Sequence, residues 1–185
     1  MNYAQAAEQY LGLREDAGPN LDHAGVITAM LASVGVGPGN SWCAAFVSQC
    51  FRDAGAQTFP FSGGSHAIRL AFEDKGLMTH DPQELLIWGG AIGGWTDVAD
   101  SAHGHVFCIV ERFTDESGAI VGIGTIEGNT GPDGGANVDG CYRKRRNLHA
   151  DGLFYPVDGI GNVIGPGHEL WFCNPSIYRG GVIWQ

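Results

Sequence analysis

Up to Gly76 the apolar residues of this chain recur at helical spacing, whereas from His105 onwards they fall into short β-rich runs separated by turn signals. Helices first and strands second is the pattern of an α+β fold, in which helices pack on an antiparallel sheet. Residues 2 to 12 predict a short helix, and Asp22 or His23 to Val34 a second, closed by Gly35-Val36-Gly37-Pro38-Gly39. A third helix starts around Cys43 and ends at Gly55. Ser65 to Lys75 predict a fourth, with Ser65 as cap and Gly76 as stop.

A length of 185 residues suits one domain, 1–185, large enough to bury roughly 70% of its unfolded surface without disulfides. Thirty glycines and 16% charged residues make it loop-rich, and 44% hydrophobic content makes it globular. No apolar run approaches the ~20 residues of a membrane span, and Met1 to Asp16 lacks the basic head and apolar stretch of a secretion signal. A net charge of −10 argues against general nucleic-acid binding and against adhesion to anionic membranes. The run Arg143-Lys144-Arg145-Arg146 departs from that balance. It reads as a solvated strand face that could also attract a carboxylate-bearing substrate. Cys43, Cys50, Cys108, Cys141 and Cys173 show no CxxC spacing and are expected to be mostly reduced thiols.

The third helix delivers Cys43 in the run Asn40-Ser41-Trp42-Cys43-Ala44-Ala45-Phe46-Val47-Ser48, with Asn40 or Ser41 as cap. Unpaired N–H groups and the dipole at a helix start favour thiolate over thiol. Cys43, Val47, Cys50, Phe51 and Ala54 form an apolar stripe, widened by Trp42 and Phe46, so the helix is embedded in the core. Cys50 is buried filler on that stripe, and by residue type alone Cys43 would share its fate.

His105 to Arg112 reads as a central strand, apolar on both faces, and Ala119 to Glu127 as its partner across the turn Asp115-Glu116-Ser117-Gly118. That hairpin places His105 opposite Glu127, Gly128 or Asn129. An imidazole then faces a carboxylate and an amide, and Glu127 and Asn129 share a face by parity. Residues 138 to 146 add a third strand. Leu85 to Trp88 predict a short buried strand before a glycine-rich loop through Gly89, Gly90, Gly93 and Gly94. Further strands are expected at Leu153 to Val157, Asn162 to Ile164, Glu169 to Cys173 and Gly181 to Trp184.

Nucleophilic amide cleavage by cysteine needs a thiolate, an imidazole to activate it and to protonate the leaving amine, and a polar group to orient the imidazole. Cys43, His105 and Glu127 supply the three, with Asn129 assisting, and a backbone N–H at the helix start can hold the oxyanion. Trp42 and Trp95 are candidate cleft aromatics for substrate binding, and His103 a candidate cleft-lining residue. His103 and His105 with Cys108 offer a loose metal-site spacing, but Cys108 has the opposite strand parity, and no metal site is predicted.

Trp42-Cys43-Ala44-Ala45-Phe46-Val47, then Gly104-His105-Val106 opening a strand, then Ile126-Glu127-Gly128-Asn129-Thr130, together resemble the CHAP family of cysteine, histidine-dependent amidohydrolases and peptidases. That family lies within the NlpC/P60 papain-like superfamily. The resemblance runs from about residue 12 to 146, leaving 147–185 as extra strands and loops. It implies a papain-like α+β fold and hydrolysis of an amide bond in bacterial peptidoglycan, by an N-acetylmuramoyl-L-alanine amidase or a stem-peptide or cross-bridge endopeptidase. It also implies Cys43 as nucleophile, His105 as general base and acid, Glu127 as the group orienting His105, Asn129 as support, and no cofactor. Some relatives bind calcium through an acidic loop before the nucleophile. Gly35 to Ser41 holds no carboxylate, so no calcium site is expected there.

With no visible signal peptide, a phage-type lysin or an interbacterial effector exported by another route to the cell wall is the expectation, and an effector would have a cognate inhibitor protein. Two other classes stay open: a catalytically silent wall-binding or partner-binding module, and an acyl or amide transferase on the same fold.

Overall fold

Asn2 starts the first helix: its side chain accepts from the Gln5 N–H at 2.9 Å while the Gln5 amide oxygen accepts from the Asn2 N–H at 3.0 Å. This helix, α1 (Tyr3–Glu8), carries the buried Tyr3, whose hydroxyl accepts from the Ala91 N–H and can donate to the carbonyl of Ala91 or of Ile109. A single phenol thus ties α1 to two neighbouring strands. The computed structural model describes residues 1–16, 25–96, 103–132 and 140–183. Three more helices follow: α2 (Val26–Ser33), α3 (Cys43–Asp53) and α4 (Ser65–Glu73). The expected start of α2 at Asp22 or His23 lies outside the described residues.

Among the described residues seven strands pair antiparallel: β1 (Met78–Thr79), β2 (Ala91–Thr96), β3 (Gly104–Thr114), β4 (Ile120–Thr130), β5 (Gly140–Leu148), β6 (Phe154–Val157) and β7 (Trp171–Cys173). Their spatial order is β1-β7-β2-β3-β4-β5-β6, so β3 is central. Mixed helices and an antiparallel sheet make the fold α+β. One sheet face, with Ile92, Val106, Cys108, Ile126, Cys141 and Trp171, shares a core with the helices. The other, with Ala91, Phe107, Ile109, Ile123, Phe154 and Phe172, packs under Leu85 and Leu170. Each Phe or Ile so buried contributes on the order of 2 kcal/mol. All five cysteines are free and buried. Among the described residues no helix is long and apolar enough to cross a membrane.

Six local expectations are corrected. Trp42, rather than Asn40 or Ser41, precedes α3, with no side-chain cap, and Gly64 rather than Ser65 precedes α4. Leu85 does not open a strand: Pro82–Leu86 form a 3-10 helix in which Asp81 accepts from the Gln83 N–H. The glycine-rich segment is not a loop from Ala91 onwards but strand β2. Glycine is required there by close approach, since a Cβ on Gly94 would strike the His105 carbonyl oxygen and the Trp171 ring. Asn162 to Ile164 give only an isolated bridge, Val157 to Val163, and residues 181–183 form no strand, while Trp184 lies outside the described residues.

Candidate active site

Cys43 is the first residue of α3, and the chain before it is fixed by core packing instead of by a polar cap. The Trp42 ring is 0% exposed, lies edge-on to Phe46 at 6.3 Å, and donates from Nε1 to Glu15 Oε1 at 2.6 Å. Strand β4 comes up against this helix start at Gly128, where a Cβ would sit 2.6 Å from the Trp42 ring and 2.7 Å from Phe46. Glycine there lets the segment bearing Glu127 and Asn129 approach the Cys43 end of α3. Trp42 is therefore a core residue, and its expected place in a substrate cleft is corrected. An indole without exposed surface has nothing to offer a ligand.

His105 enters from the start of β3, 8% exposed beside Cys43 at 5%. The thiol faces the imidazole and the backbone N–H groups of Val106 and Ala44, each of which favours its charged form. His105 Nε2 lies 3.0 Å from Glu127 Oε2. A carboxylate only accepts, so Nε2 carries a proton and Nδ1 is left for the sulfur.

Glu127 is 0% exposed, and each of its oxygens is doubly engaged. Oε1 accepts from Thr125 Oγ1 at 2.6 Å and from Arg146 Nε at 2.9 Å; Oε2 accepts from Arg146 Nη2 at 3.0 Å as well as from His105. Arg146, 5% exposed, thus forms a two-bond fork on the carboxylate, and its guanidinium carbon lies 5.0 Å over the Phe107 ring. The reading of residues 143 to 146 as one solvated face is corrected at this position: Arg143 and Arg145 are exposed and Lys144 is half-buried, but Arg146 points inward. A buried Glu127 in an apolar strand was itself the signal. Such a carboxylate demands a cation, because leaving it unpaired costs several kcal/mol.

The charges follow from these contacts. Burial alone would push the Cys43 thiol up, but the His105 imidazole and the Val106 and Ala44 N–H groups outweigh it and hold the thiol below its ordinary value. Burial opposes the His105 charge, yet hydrogen bonding to Cys43 and Glu127 raises the imidazole to about 9. Burial would also raise Glu127, and the Arg146 charge with His105 instead holds it well below the usual carboxylate range. These shifts favour the thiolate–imidazolium form of Cys43 and His105 and keep Glu127 ionised.

The remaining expected site residues fall into place differently. Asn129 has φ +60° at an irregularity where the β4–β5 register shifts between Glu127 and Thr130, which breaks the simple parity argument. Its Oδ1 is buried without a hydrogen-bond partner among the described residues, so that atom does not brace the imidazole. Trp95 pairs across β2–β3 with His105, half-buried, its ring 6.3 Å from the imidazole. His168 covers one face of that indole at 4.6 Å, nearly parallel, a partner that sequence reasoning missed because it comes from an isolated bridge to Phe154. His103 is exposed just before β3. Cys108 lies in the helix-side core, on the opposite face from His105, and among the described residues no three His, Cys, Asp or Glu side chains are arranged to hold a metal ion.

A groove of about 690 Å³ opens elsewhere, between Phe113, Arg145, Val157 and Ile164, and includes none of Cys43, His105 or Glu127. Chemistry, not concavity, marks the site. Comparison with family models, curated proteins and solved structures gives no match for this chain.

Proposed function

We propose that the protein is a CHAP-type cysteine amidohydrolase or peptidase, with a papain-like arrangement of helix-borne thiol and strand-borne imidazole, acting on an amide bond of bacterial peptidoglycan. The observation that carries the catalytic part of this reading is the placement of Cys43 beside His105, whose Nε2 is hydrogen-bonded to buried Glu127. The peptidoglycan part is carried by the resemblance of the segments around Cys43, His105 and Glu127. The Cys43 thiolate attacks the carbonyl carbon, and the oxyanion is met by a backbone N–H at the start of α3, that of Cys43 itself. His105 gives its Nδ1 proton to the leaving amine, then takes one from water as the thioester is hydrolysed, with Glu127 holding the ring throughout. In this reading the protein acts on the wall as a phage-type lysin or an interbacterial effector, the latter met by a cognate inhibitor.

Digesting purified peptidoglycan from several wall types and identifying the muropeptides by mass spectrometry tests this reading. New amino termini or free lactyl carboxylates support it and assign the bond. Products joined to an added amine would move the assignment to acyl transfer, and no product from any wall type would leave a binding module.

A further inference from the structure

For His105 Nε2 to keep an acceptor, the buried Glu127 carboxylate must stay ionised and correctly turned. Its own strand gives one hydrogen bond, from Thr125, and no charge. The charge comes from β5. Arg146 sets Nε and Nη2 against the two carboxylate oxygens at 2.9 and 3.0 Å, and the Phe107 ring underneath fixes the plane of the guanidinium. A fork on a carboxylate admits one orientation, and here that orientation presents Oε2 to His105.

We infer that Arg146 is a positioning residue: through its two-bond clamp it keeps Glu127 charged and aimed at His105, and so sustains the thiolate–imidazolium form of Cys43 and His105. The groups whose charge reaches Glu127 are His105 from β3, Arg146 and the Cys141 thiol from β5, and His168 from the segment before β7; Cys43 on α3 faces His105. Among these Arg146 is the permanent cation. Without it, Glu127 protonates more readily, the imidazolium loses its counter-charge, and the thiol holds its proton to higher pH. Removing a nearby positive charge acts directly in the same direction. The inference rests on the reading of Cys43 and His105 as the reacting pair, and not on which bond is cut.

The test is the rate of Cys43 alkylation by iodoacetamide as a function of pH, with Cys43→Ala as the blank for the other four thiols. In Arg146→Met the midpoint of the rate profile rises by about one pH unit, a roughly tenfold lower rate on the acid limb. In Arg146→Lys, which restores charge without the fork, it rises by roughly half as much. Circular dichroism confirms that each variant is folded, and if the methionine variant does not fold, the lysine variant decides alone. A purely structural role lowers the melting temperature and leaves the midpoint of the folded protein where it was. An unchanged midpoint in the deciding variant overturns the inference. Wall digestion is independent of this readout, so its failure would sink the proposed function and leave the alkylation result standing.

Discussion

The Nε2 of His105 reaches Oε2 of Glu127 at 3.0 Å along a diagonal and not across a rung. Cys108 pairs with Ile126, a register in which Phe107 faces Glu127 and His105 lies two residues further towards the start of β3. A diagonal pair on one sheet face is within reach of a long side chain. Its consequence is directional: the carboxylate holds Nε2 of the ring, which leaves Nδ1 for Cys43.

Replacing that carboxylate by an amide therefore damages more than one contact. Glu127→Gln removes the charge that favours imidazolium, offers an N–H where an acceptor is needed, and leaves Arg146 buried without its counter-ion. Turnover of soluble peptidoglycan fragments is expected to fall by about 10³- to 10⁴-fold, as when a triad carboxylate is replaced by its amide. Steady-state kinetics on protein shown to be folded checks this; a loss below tenfold would contradict the role given to Glu127.

The pH profile carries a sign. Cys43 is held below its ordinary value, so kcat/KM rises with pH through that lowered titration, and His105 is raised to about 9, so the rate falls again as pH climbs through about 9 and the proton for the leaving amine is lost. These limbs belong to the coupled pair. In Glu127→Gln the alkaline limb moves to lower pH, because the imidazolium has lost its carboxylate. Rate profiles from about pH 4 to 10.5 measure both shifts.

Trp42→Phe separates packing from ligand contact. Its Nε1 bond to Glu15 and part of a fully buried ring are lost, so stability falls by about 1–3 kcal/mol in urea unfolding. KM for wall fragments stays within about twofold, since uniform binding contacts are what KM reports. A large rise in KM with stability intact would return Trp42 to the cleft.

Gly94→Ala tests the glycine strand. The added methyl meets the His105 carbonyl oxygen and the Trp171 ring, which must separate β2 from β3 at His105. A loss of about 1–3 kcal/mol is expected, with activity falling alongside it. Gly159→Ala, where a Cβ meets nothing within 4 Å, is the control and leaves both within error. Thermal melts of the two variants make the comparison.

The hairpin and its register were legible because Asp115 to Gly118 is a strong turn signal and a turn fixes pairing outward from itself. The position of Cys43 was legible because apolar spacing resumes at Trp42 after a breaker. Asn40 and Ser41 were the wrong caps for a physical reason: the helix start is held by the buried Trp42 ring, which no capping preference describes. Strand β2 was hidden because Gly93 and Gly94 carry no strand propensity, and their value there is absence of bulk against Phe107, His105 and Trp171.

Arg146 was hidden among three other cations. Composition makes a basic run look solvated, and only the demand of a buried carboxylate on the neighbouring strand β4 distinguishes the fourth residue from the first three. Asn129 fails the parity argument because the β4–β5 register shifts immediately after Glu127, an irregularity that alternation along a strand cannot foresee. His168 joins the site through a bridge between loop and strand, where no periodicity operates.

The most direct test of the central claim is digestion of purified peptidoglycan by the wild-type protein, Cys43→Ala and His105→Ala side by side, each shown to be folded, with released amino groups and muropeptides quantified. Release of defined products by the wild type and none above background from either variant is the predicted result. Substantial release by Cys43→Ala would contradict the account.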